Sequence, residues 1–498
     1  MSSSHANALP PVGRRGRPTQ PTVELLILAA PMIGMTVSRM LMGFIDFAMV
    51  SQLGTAAQAA ISPSALLLFT IACVGMGMAQ GVQTFVAQAD GRGEPWRAGG
   101  YVWQTIHIAL LATLGSAPIA LFTPHWFPTL GFIGQHPADV QQMEIDFLAL
   151  ALWSIGPMTA CAGLESFYNG IRRPIIGLVA VLASLAAIWL GNWVLIFGHL
   201  GFPAMGIAGS GVATVLAWCV RLAVLAVPLF WPAIDRRYHT RRSFRPSAEK
   251  LADIVRVGGP VSVQWLVDIG AWLVFLELMM PPYQKAAMAG ANLAIQYMHL
   301  SFMPALGVGL ALTTQVGNAI GACQPDQADL RVHVARRVII GYMGLIAVVF
   351  VLAGEPLSEL LCFEPDAVLR ASVISASVYM LLWSALFQMS DAMCITYSFA
   401  ARGAGDTRVP AVLFFVCCWG IFVAGGYSLV WLAPQWGFHG PWAMCALYII
   451  VLGGLLWQRW RSGVWRTIQL FKAEPVAAVI APAEGAPLPV GAQLDPHV

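Results

Sequence analysis

Long apolar segments alternate with short polar ones along most of the chain. Between residues 23 and 460 there are twelve apolar segments, each close to the length of about 20 residues that an α-helix needs to cross a bilayer. They are centred near residues 36, 69, 111, 153, 186, 217, 267, 303, 350, 384, 421 and 449. This pattern predicts an all-α integral membrane protein with twelve transmembrane helices.

The composition agrees with a membrane protein. Hydrophobic residues make up 58% of the 498 residues and charged residues only 10%, whereas ordinary globular chains have about 45–50% and about 25%. So few charges cannot cover the surface of a soluble protein. The formal net charge of +3 is also too small to indicate nucleic-acid binding.

The basic residues are distributed unevenly between the two sides of the predicted membrane. Of 27 Lys and Arg residues, 23 fall in polar segments on one side, and only Lys285 and Arg370 fall on the other. Arg39 and Arg221 lie within apolar segments. Because cytoplasmic loops carry the excess of basic residues, both termini are predicted to be cytoplasmic, in a bacterial inner (plasma) membrane.

The two halves of the chain resemble each other. Pro31 recurs as Pro260, 229 residues later, and the run VAQADG at 86–91 resembles VGNAIG at 316–321, at an offset of 230. Nearly constant offsets indicate duplication of a six-helix unit. Because six is even, the two lobes are predicted to be related by a pseudo-two-fold axis along the membrane normal.

The polar segments suggest where the parts of the chain begin and end. We expect a disordered cytoplasmic tail at 1–22, an N-terminal six-helix lobe at 23–232, a basic cytoplasmic linker at 233–252, a C-terminal six-helix lobe at 253–460 and a mostly disordered cytoplasmic tail at 461–498.

Three acidic residues lie inside apolar segments: Asp46, Asp268 and Asp391. A charge at the centre of a membrane helix costs about 2.5–3.5 kcal/mol, so these residues are candidates for function. Two carboxylates in one lobe can hold a small cation or a proton. The alternative is that they only make polar contacts between helices. Glu277 points away from Asp268 and is predicted to be structural.

The positions of Asp46 and Glu165 are interpreted from nearby basic residues. Arg39 and Asp46 are seven residues apart, which places them on one helical face about two turns from each other. Both are therefore predicted to face the interior of the bundle. Glu165 is followed by Arg172 and Arg173, and we expect it to be an interfacial residue paired with these bases.

Motifs of enzymes and metal proteins are not found in the sequence. There is no phosphate-binding G-x-x-x-x-G-K-[ST] loop and no recognisable nucleophile motif, and the nine cysteines show no metal-ligand spacing. The run of Gly75, Gly77 and Gly81 lies inside an apolar helix, where small residues favour close helix packing. No cofactor is expected, and the protein is predicted not to be an enzyme.

Three segments resemble the multidrug and toxic compound extrusion (MATE) family, in its NorM-type branch. They are the run from Met42 to Asp46, the pair Gly259-Pro260 with Asp268 eight residues on, and the run QMSDA that contains Asp391, followed by RGAGDT at 402–407. Two positions differ from the family's pattern: Ile188 stands where relatives have a second Asn, and Phe387 where many have Tyr.

The resemblance implies a twelve-helix antiporter that exports organic, cationic and amphipathic compounds in exchange for Na⁺ or H⁺. Asp268 and Asp391 would bind the coupling cation, and would be the metal ligands if that cation is Na⁺. Asp46, Asn192 and Arg39 would form a polar network or substrate site in the N-terminal lobe. We expect a monomer in the lipid bilayer without nucleic-acid partners. The alternatives are a flippase for lipid-linked oligosaccharides and a polytopic membrane enzyme.

Overall fold

The computed structural model describes residues 20–129, 137–362 and 364–471. Within these ranges the regular elements are all helical, and twelve helices are long and apolar enough to cross a membrane. Each of the twelve predicted centres falls within a different one of these helices. The predicted fold class and number of membrane spans are confirmed.

The twelve helices are labelled in chain order. Their bounds are α1 Pro21–Leu53, α2 Thr55–Gly91, α3 Pro95–Leu121, α4 Ala138–Gly170, α5 Ile175–Leu195, α6 Ile207–Phe230, α7 Ala248–Tyr283, α8 Lys285–Gly321, α9 Pro325–Leu361, α10 Ala367–Ala404, α11 Arg408–Leu432 and α12 His439–Arg461.

The buried apolar side chains form two separate cores. One core is formed mainly by α1–α6 and the other mainly by α7–α12, which gives the two lobes expected from the repeat; Ile254 and Val257 near the start of α7 belong to the first core. Helix α1 contributes to both cores. Its second half, with Met42 and Val50, packs in the N-terminal lobe, whereas Leu25, Ala29 and Met32 near its start pack against the C-terminal lobe.

Glycines bring the two lobes into close contact. A Cβ atom at Gly77 of α2 would lie 2.6 Å from Ser262 Cα of α7, and a Cβ at Gly307 of α8 would lie 2.6 Å from Ile33 Cα of α1. Gly77 and Gly307 differ by 230 in number, and Ile33 and Ser262 by 229. The duplicated units therefore make the same contact twice. The close packing predicted for the glycine run of α2 is confirmed, since Gly81 also packs against Gly258.

The repeated six-residue runs pack directly against each other. A Cβ at Gly91 would collide with the Asn318 carbonyl, and a Cβ at Gly321 would collide with the Gln88 carbonyl. These two contacts exchange equivalent positions of the repeats, so they lie on either side of the pseudo-two-fold axis. Only glycine lets the two backbones come this close.

Contacts between the lobes are concentrated at the end of the bundle where α1 begins and α12 ends, which we call the terminal end. Gln83 Nε2 donates to Thr314 Oγ1 at 2.9 Å, and Thr84 Oγ1 donates to the Arg402 carbonyl at 2.9 Å. Near mid-bundle, the Thr36 hydroxyl on α1 donates to the Met303 carbonyl.

Farther from the terminal end, the lobes separate. The rings of Phe69 on α2 and Trp265 on α7 meet edge to face at 6.1 Å. Beyond these residues and Thr36, the hydrogen bonds and ring contacts of the described residues stay within one lobe. In the part of the chain that the structure describes, the hydrogen bonds and ring contacts between the lobes therefore end at Thr36, Met303, Phe69 and Trp265, and we infer that a cleft opens beyond them.

Parts of the predicted linker and second tail are packed against the helices. The linker contains a short helix, Pro232–Tyr238, and α7 already begins at Ala248. Arg237 forms a 2.8 Å ion pair with Asp90 at the end of α2. Most of the predicted tails, 1–19 and 472–498, lies outside the described residues.

Residues 462–471, which follow α12 and which we call the C-terminal strap, touch both lobes. Phe471 is buried and meets the rings of Phe85 and Tyr101 in the N-terminal lobe, each at 6.1 Å. The Arg92 guanidinium lies 5.0 Å from the same ring. Leu470 packs against Gly405 at the end of α10. The strap therefore joins the lobes at the terminal end.

The same substitution at two glycines should have opposite effects. Gly77→Ala adds a methyl group against the backbone of α7, and we expect it to destabilise the fold by about 1–3 kcal/mol. Gly43→Ala lies in α1 with open space around its Cβ, so it should be neutral or stabilising by up to about 1 kcal/mol. Thermal unfolding of the purified variants measures both, and equal midpoints would contradict the close contact.

Shortening the side chain at position 471 should weaken the attachment of the strap. We expect Phe471→Ala to cost about 3 kcal/mol, because the ring is buried among aromatic neighbours. Val464→Ala, in the same segment but with a side chain that is 40% exposed, is the matched control. If both variants unfold at the wild-type temperature, the strap does not help to hold the lobes together at the terminal end.

Candidate cation and substrate sites

The C-terminal lobe brings two of the predicted acids together. Asp268 on α7 and Asp391 on α10 lie deep in the lobe, close enough for their charges to interact, and both side chains remain partly accessible. Two neighbouring carboxylates repel each other unless a cation lies between them or one of them binds a proton. The arrangement suits reversible binding of a positive ion.

Other polar groups complete the surroundings of this acid pair. Tyr448 on α12 lies near both carboxylates, and Trp272 is within hydrogen-bonding reach of Asp268. The Tyr448 ring stacks on Phe422 at 5.2 Å, which fixes its position. A Tyr at position 387 would have offered a hydroxyl oxygen beside Asp391, but this chain has Phe387 there. Tyr448 has a hydroxyl of the same kind. Sequence reasoning missed Tyr448, because no motif marks a tyrosine in an apolar helix.

Two helices next to the acid pair depart from α-helical geometry. Residues Phe275–Met279 of α7 and Val416–Gly425 of α11 form π-helical turns. Cys418 lies in the second of these turns and is close to Asp268. Such wide turns often occur at functional sites, because they shift side chains relative to a regular helix.

The donor set around the acids limits the ions that can bind. The described residues contain no group of three or more His, Cys, Asp or Glu side chains able to hold a metal ion. Two carboxylates and a phenol hydroxyl are hard oxygen donors of low total charge. They fit a monovalent cation or a proton better than a tightly held divalent metal.

Asp46 lies in a separate polar network in the N-terminal lobe. Its Oδ1 atom accepts hydrogen bonds from Asn192 Nδ2 of α5 at 2.9 Å and from Ser210 Oγ of α6 at 2.5 Å. Asn192 and Ser210 are fully buried, whereas Asp46 is partly accessible. Sequence reasoning identified Asn192 and missed Ser210. In this network the carboxylate of Asp46 is hydrogen-bonded by two uncharged side chains.

A second network, which we call the Arg–Glu–Arg triad, lies nearby in the same lobe. Glu165 Oε2 accepts a hydrogen bond from Arg39 Nη2 at 3.0 Å, and Oε1 accepts one from Arg221 Nε at 2.6 Å. Arg221 is fully buried and lies 4.7 Å from the Trp218 ring. The triad links α1, α4 and α6 through one carboxylate.

The prediction that Glu165 is an interfacial residue paired with Arg172 and Arg173 is wrong. Glu165 is buried, and Arg172 donates instead to Asn318 Oδ1 across the lobes at 2.6 Å. The physical reason is that Arg221 would otherwise be buried without a counter-charge, which costs far more than leaving a base at the membrane surface. Proximity along the chain indicated the wrong partners.

A comparison with protein-family models identifies both halves of the chain. The MatE family model matches residues 31–194 and residues 271–427. The first match lies within the N-terminal lobe and the second within the C-terminal lobe. Because one model matches twice, the result agrees with duplication of a six-helix unit.

The chain is also similar to named bacterial proteins. It is 31% identical over 440 residues to "Probable multidrug resistance protein NorM" of Mesorhizobium japonicum, which covers 87% of this chain and 92% of that protein. It is 28% identical over 436 residues to "Multidrug resistance protein PmpM" of Pseudomonas aeruginosa, covering 84% and 87%.

Solved structures show the same fold. An outward-facing multidrug resistance MATE family transporter of the MOP superfamily superimposes with a TM-score of 0.77 at 21% identity, covering 90% of this chain and 97% of that one. A MOP superfamily transporter from Pyrococcus furiosus gives 0.79 at 19% identity with the same coverage.

Two lobes of six membrane-spanning helices, with polar networks inside each lobe, are the architecture of a multi-pass membrane transporter. The chain belongs to the MATE family, as its motifs indicated. Family membership also confirms that the protein is a transporter and not an enzyme.

Removing the shared carboxylate of the triad should be more harmful than removing one base. Glu165→Gln leaves Arg221 buried without a counter-charge, and we expect a loss of about 3–5 kcal/mol in the free energy of unfolding. Arg39→Gln keeps the Glu165–Arg221 pair neutral and should cost much less. Thermal unfolding in detergent compares the two variants. A larger loss for Arg39→Gln would contradict the assigned pairing.

Proposed function

We propose that this protein is a secondary active multidrug exporter that moves organic cations out of the cell in exchange for Na⁺ or H⁺. The observation that carries the proposal is the pair of deep, partly accessible carboxylates, Asp268 and Asp391. The names of the relatives, multidrug resistance proteins, support the same activity. The exporter acts as a monomer in the bacterial inner membrane.

Cation binding at the acid pair is coupled to the arrangement of the lobes. Asp268 and Asp391 bind the cation together with the Tyr448 hydroxyl, and an organic cation competes for the same negative charge. A ligand can shift a conformational equilibrium only if it binds one state better than the other. The coupling ion favours one arrangement and the exported compound favours the other.

Alternating access is supported by the position of the contacts between the lobes. They cluster at the terminal end, where the basic polar segments also lie, and the cleft opens at the opposite end. With the terminal end in the cytoplasm, the cleft faces the periplasm. Aromatic rings at its floor, Phe69 and Trp265, suit contacts with organic cations.

The flippase alternative has less support from the geometry. A lipid-linked pyrophosphate needs several accessible bases in the cleft. Of the two bases predicted within the membrane, Arg221 is completely buried and paired, and only Arg39 is partly accessible. One accessible guanidinium does not match the charge of a pyrophosphate.

Neutralising either acid of the pair should abolish coupled export. In proteoliposomes loaded with the fluorescent cation rhodamine 123, we expect efflux to follow an imposed Na⁺ gradient or an imposed pH gradient. Asp268→Asn and Asp391→Asn should lower this efflux more than tenfold, because neither can exchange the coupling ion. Glu277→Gln is the matched control, since Glu277 lies on α7 but is exposed near the helix end.

Thermal unfolding and yield in the membrane establish that the asparagine variants are folded. Wild-type efflux that responds to neither gradient would contradict antiport. Normal efflux by a folded Asp391→Asn variant would contradict the assigned cation site.

A further inference from the structure

The linker between the two lobes presents a group of bases that have no acidic partner. Arg236, Arg242 and Arg245 are exposed. In the part of the chain that the structure describes, none of their guanidinium groups forms an ion pair, whereas two other bases of the linker are already paired with acids. Three positive charges between positions 236 and 245 therefore remain without a counter-charge.

Packing and hydrogen bonds hold the linker against the N-terminal lobe. Tyr238 is buried on the inner face of the short helix Pro232–Tyr238. On α3, Trp103 Nε1 donates to the Thr240 carbonyl at 2.5 Å, and Gln104 Nε2 donates to the Arg245 carbonyl at 3.1 Å. Because its backbone is anchored at several points, the linker presents its bases from defined positions.

A polar contact within the linker brings two of the bases together. The backbone amide of Arg241 donates to Asp235 Oδ1 at 2.8 Å, which holds the segment after the short helix against that helix. Arg236 follows Asp235 in the chain, and Arg242 follows Arg241, so the two bases extend from neighbouring parts of the backbone. Arg236 lies about 200° around the helix from the buried Ile234, so its side chain points away from the lobe.

Exposed aromatic side chains flank the bases. Phe230 and Trp231 come just before the short helix and are 47% and 49% exposed, and Phe244, between Arg242 and Arg245, is 57% exposed. Phe230 is the last residue of α6, so it marks the level at which a membrane helix ends. Aromatic side chains are enriched at this level, among the lipid headgroups. The unpaired bases therefore lie beside the headgroup layer of the leaflet at the terminal end.

We propose that the linker binds the headgroup of an anionic phospholipid. The site, which we call the linker patch, consists of Arg236, Arg242 and Arg245 with the exposed rings of Trp231 and Phe244. The guanidinium groups bind the phosphate oxygens, and the rings lie against the glycerol and the first part of the acyl chains. Charge selects this occupant, since clustered bases next to the end of a membrane helix attract anionic lipids. The inference is independent of the exported compound.

Lipid binding by the purified full-length protein tests the proposal. The protein in a neutral detergent is titrated with phosphatidylglycerol or with phosphatidylcholine, and native mass spectrometry counts the bound lipids. We expect wild-type protein to bind a phosphatidylglycerol at least about tenfold more tightly than a phosphatidylcholine, because each base near an anionic lipid contributes to binding. The triple variant Arg236→Gln, Arg242→Gln and Arg245→Gln should lose this preference.

A second triple variant removes the same charge elsewhere at the terminal end. Arg256, Arg337 and Arg408 are also exposed, but they lie on three different helices, α7, α9 and α11. Arg256→Gln, Arg337→Gln and Arg408→Gln together should leave the lipid preference within about twofold of wild type, because these bases are not clustered.

A third triple variant separates charge from structure. Arg236→Lys, Arg242→Lys and Arg245→Lys together keep the positive charges without the planar guanidinium, and they should retain most of the preference for phosphatidylglycerol. Because all the substituted side chains are exposed, every variant should unfold near the wild-type temperature when no lipid is added.

Several outcomes would overturn the proposal. Equal affinity of the wild-type protein for the two lipids would show that the linker patch does not select an anionic headgroup. An equal loss of preference in the second triple variant would assign the effect to the overall surface charge. If inorganic phosphate displaced the lipid at equal concentration, the patch would be a site for soluble anions instead. None of these results changes the test of export, which is measured separately in proteoliposomes.

Discussion

The hydrocarbon interior of a bilayer offers no hydrogen-bond partners, so the protein must satisfy its own buried charges. This constraint explains the three polar networks of the molecule. Arg221 is tolerated because Glu165 lies against it, and Asp46 because Asn192 and Ser210 donate to it. The pair of Asp268 and Asp391 is different. Two carboxylates close together repel each other, and a bound positive ion would relieve that repulsion.

Close backbone contacts at the terminal end give the lobes a defined closed arrangement. Gly77 and Gly307 make equivalent contacts in the two lobes, as expected for a duplicated unit. Because these contacts are between small residues, they hold the lobes by surface shape and a few hydrogen bonds rather than by interdigitated side chains. Such an interface can separate without repacking the cores of the two lobes. The strap at 462–471 adds a contact on the same side.

Much of the architecture was predictable, because long apolar segments in a chain with few charges have few alternatives to membrane helices. The repeat offset predicted two lobes, and the glycine run predicted close packing. The partners of buried charges were harder to predict. Glu165 was assigned to neighbours in sequence, Arg172 and Arg173, but its partners come from α1 and α6. Tyr448 and Ser210 were not identified, since a single hydroxyl in an apolar helix has no sequence signature.

The sequence by itself determined the helices, their number, the duplication and the presence of acids within the membrane, because hydropathy and spacing depend only on local order along the chain. The tertiary structure decided which charges meet. A helix brings together residues three or four positions apart, whereas the triad joins residues 126 and 56 positions apart. Electrostatic energy depends on distance in space, so only the packed helices show that Arg39 and Arg221 share the carboxylate of Glu165.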